Sequence, residues 1–206
     1  MQGDSCFPPL SREWLAERLQ HGREVGDDPD FPGFDHPPEQ SPVQAAVLVP
    51  IVNQPVGPTL LFTQRTAHLY DHAGQISFPG GRVHVEDRDR IATALRESRE
   101  EIGLLPERVQ IIGRLPDYDI PTGFRVTPVV GWIDAPVKLT PDPFEVAEIF
   151  EVPLQFFLDP ANHQRHSREL RGLVRHYYAM LYGEHYIWGA TAGMLHVLYR
   201  ILTGRA

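Results

Sequence analysis

Residues 80–104 contain the segment Gly80-Gly81-Arg82-Val83-His84-Val85-Glu86-Asp87 and, a little further on, Arg96-Glu97-Ser98-Arg99-Glu100-Glu101-Ile102-Gly103-Leu104. Residues three and four apart on a helix are neighbours, so Glu97, Glu100 and Glu101 are expected on one side. Two carboxylates repel each other by about 1 kcal/mol at about 4 Å in water, and by more where water is excluded. The cluster therefore indicates a site for a hard divalent cation, because Mg²⁺ and Mn²⁺ prefer oxygen ligands.

The same helix has an apolar stripe at helical spacing, made by Ile91, Ala94, Leu95 and Ile102. Asp87 and Asp89 come near its start, where carboxylates accept hydrogen bonds from N–H groups that lack helical partners. Gly103 follows the last apolar position, as a terminating glycine does. The pattern predicts a helix that packs on a core with one side and presents acids with another; a solvated acidic face is the alternative.

This segment resembles the Nudix box, Gly-x5-Glu-x7-Arg-Glu-U-x-Glu-Glu-x-Gly-U, where U is a bulky aliphatic residue. The residues that match in register are Arg96, Glu97, Glu100, Glu101, Gly103 and Leu104. Ser98 stands where an aliphatic residue is usual. The acid six positions after Gly81 is Asp87, and the spacing from there to Arg96 is one residue longer than the pattern.

The residues before the box resemble the signature of the coenzyme A pyrophosphatase branch of Nudix hydrolases, Leu-Leu-Thr-x-Arg-(Ser or Ala)-x3-Arg-x3-Gly-x3-Phe-Pro-Gly-Gly. That branch also has the longer box with Asp. The matching residues are Thr63, Arg65, Gly74, Phe78, Pro79, Gly80 and Gly81. Tyr70 replaces an Arg of the signature and cannot supply its positive charge to an anionic ligand. The signature therefore leaves the identity of the substrate open.

The resemblance implies an enzyme with an α/β fold, a Nudix-type α/β/α sandwich with a mixed sheet. It implies that Glu97, Glu100 and Glu101 bind Mg²⁺ or Mn²⁺ and provide the base. Arg96 is grouped with them as a catalytic residue, with carboxylate pairing as its default role. Arg65 is a candidate for binding a substrate phosphate, with a surface arginine as the alternative. Gly80 and Gly81 are expected to let the main chain approach the metal or substrate closely.

The implied reaction is metal-dependent hydrolysis of the diphosphate of coenzyme A or its acyl thioesters, which gives adenosine 3′,5′-bisphosphate and 4′-phosphopantetheine or its acylated form. Two alternatives stay open. In the first, the enzyme prefers ADP-ribose, a dinucleotide or a nucleoside triphosphate as its substrate. In the second, the chain is a Nudix module that binds a nucleotide without cleaving it.

Composition sets broader limits. The chain has 206 residues, 42% of them hydrophobic, and a formal net charge of −8. We expect a small-molecule nucleoside diphosphate derivative as partner rather than nucleic acid, whose binders are normally basic. There is no apolar run long enough for a bilayer and no N-terminal signal pattern, so we expect no membrane association. Cys6 is the single cysteine, which favours a reducing, cytoplasmic location. A homodimer is left open.

The chain divides into residues 1–42, an N-terminal helix and irregular connector, and residues 43–206, the Nudix hydrolase domain. Patterning predicts helices at 11–20, in the box and at 188–202, a turn at 78–81, and strands at 45–52, 59–64, 109–115, 125–133 and 176–181. Residues 145–150 fit a helix or a strand. Residues 22–42 are rich in Pro, Asp and Gly and predict an irregular connector.

Several further residues have two interpretations. Glu86 and Asp87 are interpreted either as ligands of a second metal or as caps of the helix start. Glu145 is interpreted either as a distant carboxylate of the site or as a solvated acid. For the histidines at 68, 72 and 84 solvation or ordinary hydrogen bonding is favoured. Aromatic residues near the C-terminus stack on an adenine or, as the favoured interpretation, pack in the core; they are Tyr178, Tyr186 and Trp188.

Overall fold

The computed structural model describes residues 10–22, 41–67, 74–170 and 173–205. Most of the predicted connector, together with Cys6, His68, Tyr70 and His72, lies outside these residues. The helices are α1 Arg12–His21, α2 Arg90–Ile102, α3 Leu154–Leu158 and α4 Gly189–Thr203. The strands are β1 Val43–Gln54, β2 Gly57–Arg65, β3 Ile76–Ser77, β4 Gly80–Arg82, β5 Gln110–Arg114, β6 Tyr118–Ile120, β7 Phe124–Asp134, β8 Val146–Pro153, β9 Gln164–Leu170, β10 Leu173–Tyr182 and β11 His185–Trp188.

The main sheet is mixed and is built around β1. This strand runs parallel to β7, with Val49 opposite Val130, and antiparallel to β2 and β4. The order β3-β2-β1-β7-β5 is extended by β8 on β2 and by β6 on β7. A second, three-stranded sheet has the order β11-β10-β9. The near-continuous apolar run of β1 is typical of a strand that is covered on both faces.

Side chains of successive strand residues enter opposite cores, because they alternate across the sheet. Val49 and Ile51 belong to the cluster that packs with α1, α3, α4 and the second sheet. Leu48 and Val52 belong to the cluster on the other face, with Ala94 and other apolar residues of α2. The predicted α/β/α sandwich with a mixed sheet is therefore confirmed.

The box helix begins later than a cap at Asp87 would give. Asp89 is its N-cap, and its carboxylate accepts a hydrogen bond from the N–H of Ala92 at 2.8 Å. Gly103 ends the helix with φ +66°, a conformation in which only glycine avoids a steric penalty. At the N-terminus, the Ser11 hydroxyl caps α1 by accepting from the N–H of Trp14 at 3.2 Å.

Two other predicted elements differ from the structure. The segment 78–81 is not only a turn: Gly80 and Gly81 start β4, which pairs with β1. The ambiguous segment 145–150 is a strand, because β8 pairs with β2 and places Phe150 opposite Phe62. Across the described ranges, no helix is both long and apolar enough to span a bilayer.

Candidate active site

The box helix places Glu101 against the glycine strand. Its side chain is 7% exposed, and its Oε2 accepts a hydrogen bond from the N–H of Gly80 at 3.2 Å. On the other side, Nη1 of Arg65 lies 3.9 Å from Oε1 of Glu101. Arg65 is thus not the surface arginine of the alternative interpretation, because β2 aims it at the box carboxylate.

Burial raises the pKa of Glu101 to about 8, against the opposing effects of the Gly80 N–H and the Arg65 charge. The carboxylates of Glu145 and Glu97 add to the increase. Burial also raises the pKa of Glu97, while its ion pair with Arg96 works in the opposite direction. Both effects describe carboxylates whose negative charge is poorly compensated by the groups around them, which is what a bound cation would correct.

Gly80 and Gly81 are required for this close approach. A Cβ at position 81 would lie 2.5 Å from the carboxyl carbon of Glu97. A Cβ at position 80 would clash with the main chain of β1, at the carbonyl oxygen of Ala46 and the Cα of Val47. Glycine at both positions therefore lets β4 pack closely against the central strand and the acidic helix; the approach of this main chain to a metal or substrate stays a prediction.

Arg96 fixes the loop before the helix. Its Nε and Nη2 donate to the two carboxylate oxygens of Asp87 at 3.0 and 2.9 Å, and Nη2 also donates to the carbonyl of Arg82 at 3.1 Å. This bidentate bond holds the pKa of the Asp87 carboxyl well below its usual range. Asp87 is therefore the partner of Arg96, which supports the pairing role expected for that arginine.

The predicted metal ligands differ in environment. Glu97 packs on Gly81 and pairs with Nη1 of Arg96 at 2.8 Å. Glu100 is more exposed, and its Oε2 also accepts from Nη1 of Arg96, at 3.0 Å. Among the described residues, no three His, Cys, Asp or Glu side chains are gathered closely enough to hold a metal ion as they stand.

The donor set nevertheless fits a hard cation. Glu97 and Glu101 both contact the glycine strand, and the groups available there are carboxylate and main-chain oxygens, which Mg²⁺ and Mn²⁺ prefer. Glu100 is the exposed member of the three on α2 and would join after releasing Arg96. The fit thus depends first on the buried Glu101 and the half-buried Glu97.

The other candidate residues near the box differ in their distance from the buried Glu101. Glu86 is exposed and His84 is exposed, with its N–H bound to Asp87 at 2.9 Å. Glu145 lies near the end of α2, because the neighbouring Asp142 N–H donates to the carbonyl of Glu101 at 2.8 Å. Glu145 is close enough to the buried Glu101 to raise its pKa, which brings this distant acid into the site region.

A cavity of about 740 Å³ opens beside the glycine strand and extends to the second sheet. Arg65, Gly80 and Gly81 line it, together with the predicted aromatic candidates Tyr186 and Trp188 and with further residues that the sequence did not indicate. The residues that the second sheet, β4 and the start of α4 contribute include Arg82, Arg168, Arg175, Tyr177, Tyr186 and Trp188. These positions are far apart in sequence and come from both sheets, so only the tertiary structure brings them together.

The aromatic residues divide between core and cavity. Tyr178 is buried and stacks on His196 with ring centroids 4.0 Å apart, so core packing holds for it. Tyr186 and Trp188 line the cavity instead, and Trp188 meets Tyr177 edge-on at 5.8 Å. The favoured interpretation of core packing is therefore wrong for Tyr186, which is 41% exposed.

A carboxylate helix packed on a glycine strand beside a cationic cavity is suited to hydrolysing a phosphoric anhydride. The model of the family described as NUDIX domain matches residues 42–173. The chain is 45% identical over 166 residues to a protein of Pectobacterium atrosepticum named "Uncharacterized Nudix hydrolase NudL", a match that covers 79% of this chain and 86% of the relative. A protein of the same name from Escherichia coli K12 is 45% identical over 157 residues, 75% of this chain and 80% of the relative.

Among solved structures, a binary complex of a C. elegans Ap4A hydrolase is similar with a TM-score of 0.47 and 20% identity, over 54% of this chain and 80% of that one. This likeness is too distant to bear on the substrate. The family match and the two relatives are sufficient: the chain belongs to the Nudix family. It is a Nudix hydrolase, a class whose members act on small nucleotide derivatives and generally use divalent metal ions.

Proposed function

We propose that this enzyme hydrolyses the diphosphate of coenzyme A or of its acyl thioesters. One water is added across the P–O–P bridge: its oxygen bonds to one phosphorus, and the bridging oxygen leaves with the other. The products are adenosine 3′,5′-bisphosphate and 4′-phosphopantetheine or its acylated form. The observation that supports this most directly is that Arg65, Phe78, Gly80 and Gly81, all from the segment that resembles the coenzyme A branch, line one cavity.

The metal in this proposal is Mg²⁺ or Mn²⁺, held by Glu97, Glu101 and, once released from Arg96, Glu100. Such an ion neutralises phosphoryl oxygens and lowers the pKa of a water that it binds. The chain's own groups then have distinct tasks. Arg65 extends its guanidinium beside Glu101 and is positioned to donate to a phosphate oxygen. Arg96 keeps the loop of Asp87 fixed. The attacking water gives its proton to the set of carboxylates formed by Glu97, Glu100 and Glu101. We assign the base to the set and not to one residue, because coupled acids titrate together.

The first experiment is a substrate panel. The purified chain is incubated with Mg²⁺ or Mn²⁺ and coenzyme A, acetyl coenzyme A, ADP-ribose, a dinucleotide or a nucleoside triphosphate, and products are identified by mass spectrometry. We expect metal-dependent release of 4′-phosphopantetheine, fastest among the panel. If another diphosphate is cleaved and coenzyme A is not, the enzyme is a Nudix hydrolase with a different substrate specificity. Tight nucleotide binding with no product would favour a non-catalytic module.

The site assignment is tested with Glu101→Gln, which keeps the shape of the side chain. We expect a loss of activity of at least about 100-fold, since even changes behind metal ligands cost about 10- to 100-fold. Glu17→Gln, an exposed acid on α1, is the matched control and should retain activity. Activity that survives Glu101→Gln would remove that residue from the proposed metal site.

Two broader proposals accompany the reaction. We place the enzyme in the cytoplasm, consistent with its single cysteine, and we propose residues 43–206 as the hydrolase domain, with residues 1–42 preceding it. Size-exclusion chromatography with light scattering distinguishes a monomer from a homodimer, which the sequence left open.

A further inference from the structure

Arg168 and Arg175 lie opposite each other on neighbouring strands of the second sheet. They are Cα partners in the antiparallel ladder of β9 and β10, so their side chains leave the same face. Like charges directly opposite each other are unfavourable in a sheet. Both arginines line the cavity beside the glycine strand, where an anion bound between their guanidinium groups would replace this repulsion with attraction.

The rest of the same face supplies flat rings. Tyr177 is two residues from Arg175 on β10, and Trp188 is the β11 partner of Ala179, so all three lie on one side of the sheet. The opposite side of β10 carries Tyr178 and Met180, which are buried in the core. The sheet thus packs on the protein with one face and offers paired arginines beside aromatic rings with the other.

The charge of the cavity lining is of one sign. Its described residues include four arginines and no Asp or Glu, although the whole chain has a formal net charge of −8. Arg65, on the main sheet, reaches toward Glu101 and is used at the diphosphate in the proposed function. Arg168 and Arg175 belong to a different sheet, so they face a different part of the cavity and would meet a second anionic group of the same ligand.

We infer that Arg168 and Arg175 bind the 3′-phosphate of the adenosine half of coenzyme A, and that they set the preference for coenzyme A over diphosphates that lack this group. The inference depends on the proposed function and names its specificity-determining residues. Guanidinium forks suit phosphate oxygens, and the rings of Tyr177 and Trp188 beside them suit an adenine base. A cavity of about 740 Å³ lies within the range of about 300–1,000 Å³ typical of small-molecule sites.

The test compares coenzyme A with 3′-dephospho-coenzyme A, which differs only by that phosphate. For the wild-type enzyme we expect kcat/KM to favour coenzyme A by about tenfold or more, the gain expected from charged hydrogen bonds to one phosphate. In Arg168→Gln/Arg175→Gln this preference should collapse toward one, mainly through a higher KM for coenzyme A. Arg165→Gln is the matched control: the same change on the same strand, at a residue that does not line the cavity.

A second readout needs neither metal nor turnover. Isothermal calorimetry compares adenosine 3′,5′-bisphosphate with AMP, and we expect the double variant to lose about tenfold or more in affinity for the bisphosphate relative to AMP. Arg168→Lys/Arg175→Lys keeps the charges and should retain part of the preference, which also covers the case in which the Gln variant fails to fold.

The outcomes separate the two proposals. If the wild-type enzyme cleaves both coenzymes equally, or if the variants lose both activities in the same proportion, the proposed function stands and the role of the arginine pair is overturned. If neither coenzyme is cleaved while another diphosphate is, the proposed function fails, and the 3′-phosphate assignment fails with it.

Discussion

Gly81 is a residue at which one added methyl group should disable the site. The Cβ of an alanine there would lie 2.5 Å from the Glu97 carboxyl carbon, so this proposed ligand must move. We expect Gly81→Ala to lower kcat/KM by about 10- to 100-fold, the range for displaced support of metal ligands. Steady-state kinetics measures the loss, and circular dichroism with a thermal melt checks that the fold is kept.

A double-mutant cycle with Glu97→Gln isolates the cause. If Gly81→Ala acts by displacing Glu97, the second change adds little once the first is made, and the two losses are not additive. Fully additive losses would mean that the methyl group acts on something other than this carboxylate.

At the residue scale, the sequence singled out Gly80 and Gly81 as close-approach positions, but it did not show that they pack against β1 and Glu97. Ser98 departs from the aliphatic pattern, yet it is fully buried, and its hydroxyl donates to the carbonyl of Ala94 at 2.7 Å. The polar atom is therefore satisfied inside its own helix, and the position still packs. A single sequence cannot show this, because the hydrogen bond depends on the rotamer rather than on the residue type.

At the scale of elements, the bond between Asp87 and Arg96 joins the glycine loop to α2. Both groups are shielded, with 6% and 23% of their side chains exposed. We expect Asp87→Asn to lower the free energy of unfolding by about 1–3 kcal/mol, because Asn keeps the shape but loses the charge and one acceptor. Urea denaturation with an unchanged m-value measures the effect.

The pair of Arg88 with Asp89 in the same loop provides the control. Its side chains are 81% and 49% exposed, and such surface pairs contribute about 0–1 kcal/mol. Arg88→Gln should therefore leave the midpoint nearly unchanged. Equal losses in the two variants would show that the loop is not held by the Arg96 bond.

The contact between α3 and α4 should depend on pH. His163 donates from Nε2 to the carbonyl of Phe157 at 2.8 Å, so its neutral Nδ1 accepts from Nδ1 of His196 at 2.9 Å. Burial lowers the pKa of His163, against an opposing effect of Asp159. Protonation would set two N–H groups against each other.

The sign of the pH effect follows from linkage. The unfolded chain takes up the proton near pH 6.5, whereas the folded chain resists it to lower pH. Stability is therefore complete above about pH 6.5 and is lost as the pH falls toward the lowered pKa of the folded state. Thermal melts between pH 5 and 7.5 measure this slope. His163→Gln should flatten it, the exposed His84→Gln should not, and an unchanged slope in His163→Gln would contradict the assignment.

Pattern alone located the longer elements and failed on the short ones. The strands β1, β2, β5, β7 and β10 and the closing helix have apolar runs that periodicity recognises. In contrast, β9 reads Gln-Arg-His-Ser-Arg-Glu-Leu, with a single apolar residue, and is a strand because β10 pairs with it. The two-residue β3 and the start of β4 depend in the same way on a neighbouring strand.

For the whole molecule, the composition determines the sign of the net charge but does not show how the charged residues are distributed. The formal net charge of the chain is −8, but the four charged residues that line the cavity are all arginines. Arg82, Arg168 and Arg175 come from three strands, β4, β9 and β10. Their meeting is a property of the tertiary structure, which no local spacing reveals.

The role of α1 can be tested at this scale. The family match begins at residue 42, and the sequence placed the helix outside the hydrolase domain. However, Leu15 and Leu19 are 0% and 1% exposed within the main core cluster. Leu19 also packs tightly on β5: a Cβ added to Gly113 would lie 2.8 Å from the Cβ of Leu19.

We therefore expect Leu19→Ala to lower the free energy of unfolding by about 2–5 kcal/mol, the usual loss for emptying a leucine site in a core. Leu105→Ala, at a leucine that is 45% exposed, is the matched control and should lose much less. Chemical denaturation followed by tryptophan fluorescence compares the two. A loss confined to Leu19→Ala makes α1 part of the hydrolase core and moves the domain boundary before residue 12. Equal, small losses would keep residues 1–42 as a separate segment that the catalytic domain does not need.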